Sequence, residues 1–230
     1  MNLRLNKLAE MVDPGSRVAD IGTDHAYLPI RLVQSGKISH AIASDVAAGP
    51  LANAKADIAS AGLADAIETR LGSGLETIKE EDGIDTVVIA GMGGKLMVSL
   101  LAEAAGRGVY YPTLVLEANI GENTVRRWLM ENKYEIVAED IVDEAGHIYE
   151  LIKARLTDRI HELSVREQEF GPLLLAKKTD VFYKKWRGQE AYYQKLLANL
   201  NKARQKDEGR IKEIEDLLAM IEEELSGAEK

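Results

Sequence analysis

At 230 residues, 46% of them hydrophobic and 29% charged, the chain has a globular composition and enough length for one substantial core plus an appendage. It has no cysteine, which excludes a disulfide framework, a thiolate metal site and a cysteine nucleophile, and its histidines (His25, His40, His147, His161) include no i, i+4 pair of the kind zinc sites use. The net charge of −9 argues against nucleic acid as a partner of the whole surface, but the charge is unevenly placed. Residues 1–155 are acidic by about eight, whereas Lys177 to Lys212 carries about eleven Lys and Arg against about four Asp and Glu. Such a basic appendage either docks a polyanion or is simply a solvated helix face. No run approaches the roughly 20 apolar residues that span a bilayer. Met1 to Lys7 lacks the apolar region of a signal peptide, so a cytoplasmic location is expected.

In chain order, Leu5, Leu8, Ala9 and Val12 predict a helix over Leu3–Val12, ended by Asp13-Pro14-Gly15. Arg17–Ile21 reads as a strand and Ala26–Gln34 as a helix. Ala41–Ser44 is a second strand ending at Asp45, followed by a helix from about Pro50 to Ala61. Ile67–Leu71 is a third strand, running into Gly72-Ser73-Gly74. Asp85–Ala90 is a fourth, apolar throughout its later part as a buried parallel strand should be, and it ends in Gly91-Met92-Gly93-Gly94 before a helix to about Ala105. Thr113–Leu116 (strand), Thr124–Glu131 (helix), Tyr134–Ile141 (strand) and His147–Arg155 (strand) follow, the last two joined by the turn Asp143-Glu144-Ala145-Gly146. Strands alternating with helices imply a mostly parallel α/β sheet, while the short final connection requires antiparallel neighbours. A doubly wound, Rossmann-like sheet closing on an antiparallel strand is the architecture of class I methyltransferases; dinucleotide-binding dehydrogenases normally continue parallel.

Beyond Arg155, Phe182, Trp186, Gln189, Tyr193, Leu196, Leu200 and Ala203 recur at spacings of four and three, as do Ile211, Ile214, Leu218, Ile221 and Leu225. With Lys206-Asp207-Glu208-Gly209 as the turn, this predicts an antiparallel coiled-coil hairpin whose apolar rows, aromatics included, form a packed seam. The expected division is therefore residues 1–157 and 158–230.

The loops after the first four strands share one sheet edge and can line one crevice. They carry Asp20, Gly22, Asp24 and His25; Asp45 and Val46; Ser73 and Gly74; and Ala90, Gly91, Met92 and Gly93. Gly22 lets a ligand approach the backbone closely, and Asp45 can accept hydrogen bonds from both hydroxyls of a ribose or, alternatively, cap a helix. A pyrophosphate cofactor would need G-x-G-x-x-G, but Thr23, Asp24 and His25 follow Gly22, and Asp24 would repel phosphate. An acidic turn suits a cationic, phosphate-free cofactor; S-adenosylmethionine is one. Here His25 is either a catalytic base or a structural, substrate-orienting residue.

Three segments are specific: Asp20-Ile21-Gly22-Thr23-Asp24-His25-Ala26-Tyr27-Leu28-Pro29, Ile89-Ala90-Gly91-Met92-Gly93-Gly94 and Val125-Arg126-Arg127-Trp128-Leu129. Together with Gly171-Pro172-Leu173-Leu174, they make the chain resemble, over almost its whole length, the bacterial tRNA adenine-22 N1-methyltransferase family. Ser73 departs from that family's Gly-Asp-Gly segment, and Glu117-Ala118-Asn119 from its Gln-Pro-Asn segment, so only Asn119 carries over there.

The resemblance implies methyl transfer from S-adenosylmethionine to N1 of an adenine in the D-loop region of tRNA, without a metal. Asp20, Gly22, Asp45, Val46, Ser73, Gly74 and Ala90 to Gly93 would hold the cofactor. Asp24 would stabilise the developing charge or remove a proton, with His25 and Tyr27 orienting the base and Asn119 contacting the substrate as well. On the hairpin, Lys177, Lys178, Lys184, Lys185, Arg187 and Lys195, with Lys202 and Arg204, would grip tRNA phosphates, in a monomer or weak homodimer. The rival readings are a methyltransferase of another RNA, a small molecule or a protein; a non-catalytic RNA- or protein-binding module; and a nicotinamide oxidoreductase, against which the missing glycines count.

Overall fold

The computed structural model describes residues 2–203 and 205–227, so Arg204 of the expected basic face lies outside the described residues. Two compact units divide between Leu173 and Leu174. In the first, the described residues form one seven-stranded sheet of strands Arg17–Ile21 (β1), His40–Asp45 (β2), Ile67–Leu71 (β3), Thr86–Gly93 (β4), Thr113–Ile120 (β5), Tyr134–Glu144 (β6) and His147–Leu156 (β7). Their order is β3-β2-β1-β4-β5-β7-β6, with β7 antiparallel to both of its neighbours. β1 sits at the topological switch, where helices change face. Asp20 lies level with Ala43 of β2 and Val88 of β4, so the carboxyl ends of these strands present their loops together.

Alternation along the strands supplies a core on each face. Val18, Ala43, Val88 and Val115 meet the helices Leu3–Met11 (α1), Tyr27–Gln34 (α2) and Ala48–Ser60 (α3) through Leu8, Leu32 and Ile58. Ala19, Ile21, Ile89 and Leu116 meet Gly94–Gly106 (α4) and Glu122–Glu131 (α5) through Met97, Leu101 and Leu129. β4 runs three residues past the expected Ala90 because the ladder to β5 resumes, with register shifts, at Met92 and Gly93. The β6–β7 connection is tighter than the expected four-residue turn. Both strands continue to Glu144 and His147, leaving Ala145 (φ +51°) and Gly146 (φ +83°) as a two-residue hairpin turn with both central residues left-handed.

The first unit extends beyond the expected boundary at 157, and its buried charges explain why. Arg126 on α5 is fully buried and reaches Glu139 of β6 at 2.8 Å and Glu150 of β7 at 2.5 Å. Its remaining donors take the Gln168 and Glu169 carbonyls, at the end of the short helix Val165–Phe170 (α6), and Glu139 also accepts from the Leu173 N–H. A side chain at Gly171 (φ +85°) would collide with this ion cluster. Segment 158–173 thus belongs with the sheet: it completes the hydrogen bonding of a buried charge that would otherwise be costly.

After the helix Pro172–Lys177 (α7), the second unit is formed by Asp180–Asn201 (α8) and Glu208–Ser226 (α9). Thr179 caps α8 and Asp207 caps α9 through their side chains, so Glu208 and Gly209 fall inside α9 rather than in the turn. Of the residues expected in the seam, Phe182, Trp186, Ile211, Ile214, Leu218 and Ile221 are buried, whereas Gln189, Tyr193, Leu196 and Leu200 are only half-buried.

Candidate active site

The chain leaves β1 through Gly22, at φ +80°, where a side chain would also overlap the Met92 methyl. The N–H groups of Gly22 and Thr23 donate to the Ser44 carbonyl at 2.8 and 3.0 Å, fastening this turn to the end of β2. Behind it, burial pushes the Asp20 carboxyl up to about 6, against a hydrogen bond from the Thr23 side chain and with the Asp45 charge adding to the rise. Among the described residues no lysine or arginine pairs with Asp20 or Asp45. Two adjacent carboxyls with no cation of their own fit a positively charged ligand. Asp45 Oδ1 accepts from the Ala47 N–H at 2.7 Å, which holds the side chain at the head of α3.

Asp24, with its side chain 71% exposed, stands in front of His25, Oδ2 lying 3.8 Å from Nε2. The other ring nitrogen, Nδ1, contacts Asp57 Oδ2 of α3 at 2.7 Å. The imidazole stacks on Tyr27 with centroids 5.0 Å apart and planes 10° from parallel. His25 is thereby held from two sides, by a carboxylate in the ring plane and an aromatic face, as a positioned residue would be.

The glycine run after Ala90 is not a free loop. Gly91 (φ +78°) bulges out of β4, and two β5 side chains take its backbone groups: Glu117 Oε2 accepts its N–H at 3.0 Å, and Asn119 Nδ2 donates to its carbonyl at 2.8 Å. Burial pushes the Glu117 carboxyl up, while Arg4 of α1, at 2.5 Å, opposes the shift. The guanidinium of Arg4 also lies 5.0 Å over the Tyr149 ring.

Of the expected residues, Asp20, Gly22, Asp24, His25, Tyr27, Ala90 and Gly91 line one cavity of about 340 Å³. Asp45, Val46, Met92, Gly93 and Asn119 sit on the same sheet edge without lining it. Ser73 is exposed at the head of the 3-10 turn Gly74–Thr77, and Gly74 is packed against Leu100. Sequence reasoning missed Arg4 and Asp57, whose partners are distant in the chain. It also passed over Glu117, although a carboxylate ending the apolar run Leu114-Val115-Leu116 signals a buried charge that needs partners.

On the hairpin, the Lys178 ammonium lies 2.6 Å from Glu224, a pair that joins the two ends of the hairpin. Lys185 lies over Trp186 and Arg187 over Tyr183. Lys184, Lys195 and Lys202 are exposed and separated by about three and about two helical turns, which puts them on one face. Lys177 is exposed at the end of α7. Among the described residues there is no group of three His, Asp or Glu that could hold a metal ion, and no helix long and apolar enough to cross a membrane.

A family model described as TrmK, tRNA (adenine(22)-N(1))-methyltransferase, matches residues 18–223. The chain belongs to that family. It is 34% identical over 229 residues, 97% of this chain and 96% of the relative, to the tRNA (adenine(22)-N(1))-methyltransferase of Bacillus subtilis (strain 168). A Streptococcus pneumoniae protein solved in complex with S-adenosyl-L-methionine superposes with a TM-score of 0.88 at 34% identity, covering 98% of this chain and 99% of that one. TrmK of M. capricolum, in complex with S-adenosyl-homocysteine, gives 0.86 at 28% identity, covering 98% of each chain.

Proposed function

We propose that this protein transfers a methyl group from S-adenosylmethionine to N1 of adenine 22 in the D-loop region of tRNA. The observation that carries the reading is that Asp20 and Gly22 line the same cavity as Asp24, His25 and Tyr27. S-adenosylmethionine supplies a methyl on a sulfonium, whose bond to carbon breaks as the bond to N1 forms. Its charge suits the Asp20 and Asp45 pair, with Asp20 taking the cationic end and Asp45 the ribose hydroxyls. Gly22 and the Gly91 bulge offer backbone at close range, and Val46, Ser73, Gly74, Ala90, Met92 and Gly93 frame the rest of the cofactor.

N1 already carries a lone pair, so the enzyme's work is positioning and charge stabilisation rather than deprotonation of the nucleophile. N1 is occupied in a Watson–Crick pair, so the adenine enters unpaired or flipped out. Asp24 faces the positive charge that develops on the ring and accepts from the exocyclic amine. The Asp57–His25–Tyr27 assembly fixes one wall against which the base settles. Asn119 acts by holding the Gly91 carbonyl.

We assign the hairpin's exposed Lys184, Lys195 and Lys202, with Lys177, Lys185 and Arg187, to tRNA phosphates, a contact that gives affinity without reading sequence. Lys178 contributes less, being tied to Glu224. The first unit is the catalytic part and the hairpin the RNA-gripping part, working in the cytoplasm as a monomer or weak dimer. The deciding experiment incubates the protein with labelled S-adenosylmethionine and unmodified tRNA, followed by nucleoside analysis. The expected product is 1-methyladenosine at position 22; label in another nucleoside or in no RNA at all would overturn the assignment. Ending the chain at Leu173 should weaken tRNA binding and flatten its salt dependence, and normal methylation by the truncated chain would move the hairpin to a role in self-association.

A further inference from the structure

A second cavity, of about 480 Å³, is lined by Asn2, Leu5, Tyr27, Ile30, Arg31 and Gln34, from α1 and α2 with the residue before α1. Asn2, Leu5 and Tyr27 line the first cavity as well, so the two adjoin. The chemistry described above makes no use of Ile30, Arg31 or Gln34. Arg31 is exposed, and among the described residues nothing engages its guanidinium. Arg4, Arg70, Arg107, Arg126 and Arg155, by contrast, each hold a carboxylate. A cation that lines a cavity and has no carboxylate of its own, on an otherwise acidic unit, calls for an anion.

The rest of the lining narrows what that anion is attached to. Tyr27 stacks one ring face on His25 yet remains 54% exposed, leaving aromatic surface open toward a second planar group. Leu5 and Ile30 supply apolar wall. Asn2 spends its Oδ1 on the Leu5 N–H, which leaves its amide nitrogen as a donor, and Gln34 adds a second exposed amide. An open aromatic face, apolar walls, amide groups and one free guanidinium together match a nucleotide: a base to stack, edges to hydrogen-bond and a phosphate to neutralise.

We propose that this cavity receives the RNA nucleotide adjoining the methylated adenine, its base against Tyr27 and Ile30 and its phosphate on Arg31. The proposal rests on the methyltransferase reading above. Drawing one adenine out of a stacked strand leaves its neighbour without a partner, and a site that stacks this neighbour offsets part of the cost of extrusion. Tyr27, common to both cavities, divides target from neighbour.

The test uses the full-length enzyme, saturating S-adenosylmethionine and an unmodified tRNA transcript. With Arg31→Glu, KM for tRNA should rise about tenfold and the slope of log KM against log salt should fall by about one, while S-adenosylmethionine affinity stays within about twofold. Arg31→Lys should recover most of the loss. An abasic site placed on each side of the target in turn should weaken wild-type binding on one side only, and on that side Arg31→Glu should add less than it does on the intact transcript. Unchanged KM and salt slope, or a loss confined to kcat, in an enzyme whose wild type makes 1-methyladenosine would overturn the second site alone. A wild type that makes none would overturn the methyltransferase reading and this site with it.

Discussion

Two carboxylates that line the same cavity are held in opposite ways. Asp20 is 8% exposed, lies deep in the sheet edge beside Asp45, and has its carboxyl pushed up to about 6. Asp24, only four residues on, keeps its side chain 71% exposed, next to an imidazole fixed by Asp57. A buried carboxyl is built to meet one permanent cation that replaces lost hydration; an exposed one is suited to a charge that appears only during reaction. In the proposed reading, the turn Asp20-Ile21-Gly22-Thr23-Asp24 therefore spans from donor to acceptor within five residues.

The largest expected effect falls on the acceptor side. Asp24→Ala should lower kcat by about 100- to 1,000-fold, the scale on which removal of one preorganised charge-stabilising group acts. S-adenosylmethionine affinity, measured by calorimetry, should barely move. A variant with full activity would remove Asp24 from the chemistry, and one that also lost cofactor affinity would erase the division between the two sides.

On the donor side, Asp45→Ala should weaken S-adenosylmethionine by about 10- to 100-fold, the range for losing hydrogen bonds to a charged acceptor, while kcat at saturation holds. Since Asp45 Oδ1 also accepts from the Ala47 N–H, Asp45→Asn is the sharper variant. It retains an oxygen for that bond, so a loss of affinity in both variants isolates the ribose contact from the cap.

Asp20 gives a pH signature that Asp24 should lack. Its folded carboxyl, at about 6, lies above the ordinary 3.8, so the unfolded chain ionises first. The ligand-free protein therefore gains stability from this group at low pH and loses it as pH rises from about 3.8 to about 6. A bound cation reverses the preference by favouring the ionised form. S-adenosylmethionine affinity should consequently fall about tenfold per pH unit below about 6 and level off above it. Asp20→Asn should bind weakly at every pH; a pH-dependent loss that persisted in that variant would place the titrating group elsewhere.

What was legible in the sequence follows the same local-versus-distant division. β1 and β3 fall at the expected residues, Arg17–Ile21 and Ile67–Leu71, and the turn after β1 is readable because its glycine and carboxylates are contiguous. The Gly91-Met92-Gly93-Gly94 run has the composition of a loop, and nothing local indicates that Glu117 and Asn119 reach across from β5 to hold Gly91 in a bulged strand. Arg4, 113 residues before Glu117, gives no local signal either. Residues 158–173 carry no local signal that they belong with the sheet, because the Arg126 cluster that binds them to it is purely tertiary.

The smallest effect tests whether the bulge serves both sides of the cavity. Asn119 donates one hydrogen bond to the Gly91 carbonyl, and Glu117 holds the N–H of the same residue. Asn119→Ala removes one of the two clamps, a change worth about 1 kcal/mol, or about fivefold, for a neutral hydrogen bond. Gly91 lines the cavity together with Asp20 and Asp24, so in the proposed reading the loss should be divided, with a rise of about twofold in the S-adenosylmethionine Kd and a similar fall in kcat. Because Glu117 is buried with Arg4 as its counter-charge, the fold should survive and the melting temperature should change little. A defect in kcat alone, much larger than fivefold and with cofactor affinity intact, would mean that Asn119 meets the adenine itself instead of steadying the strand beneath it.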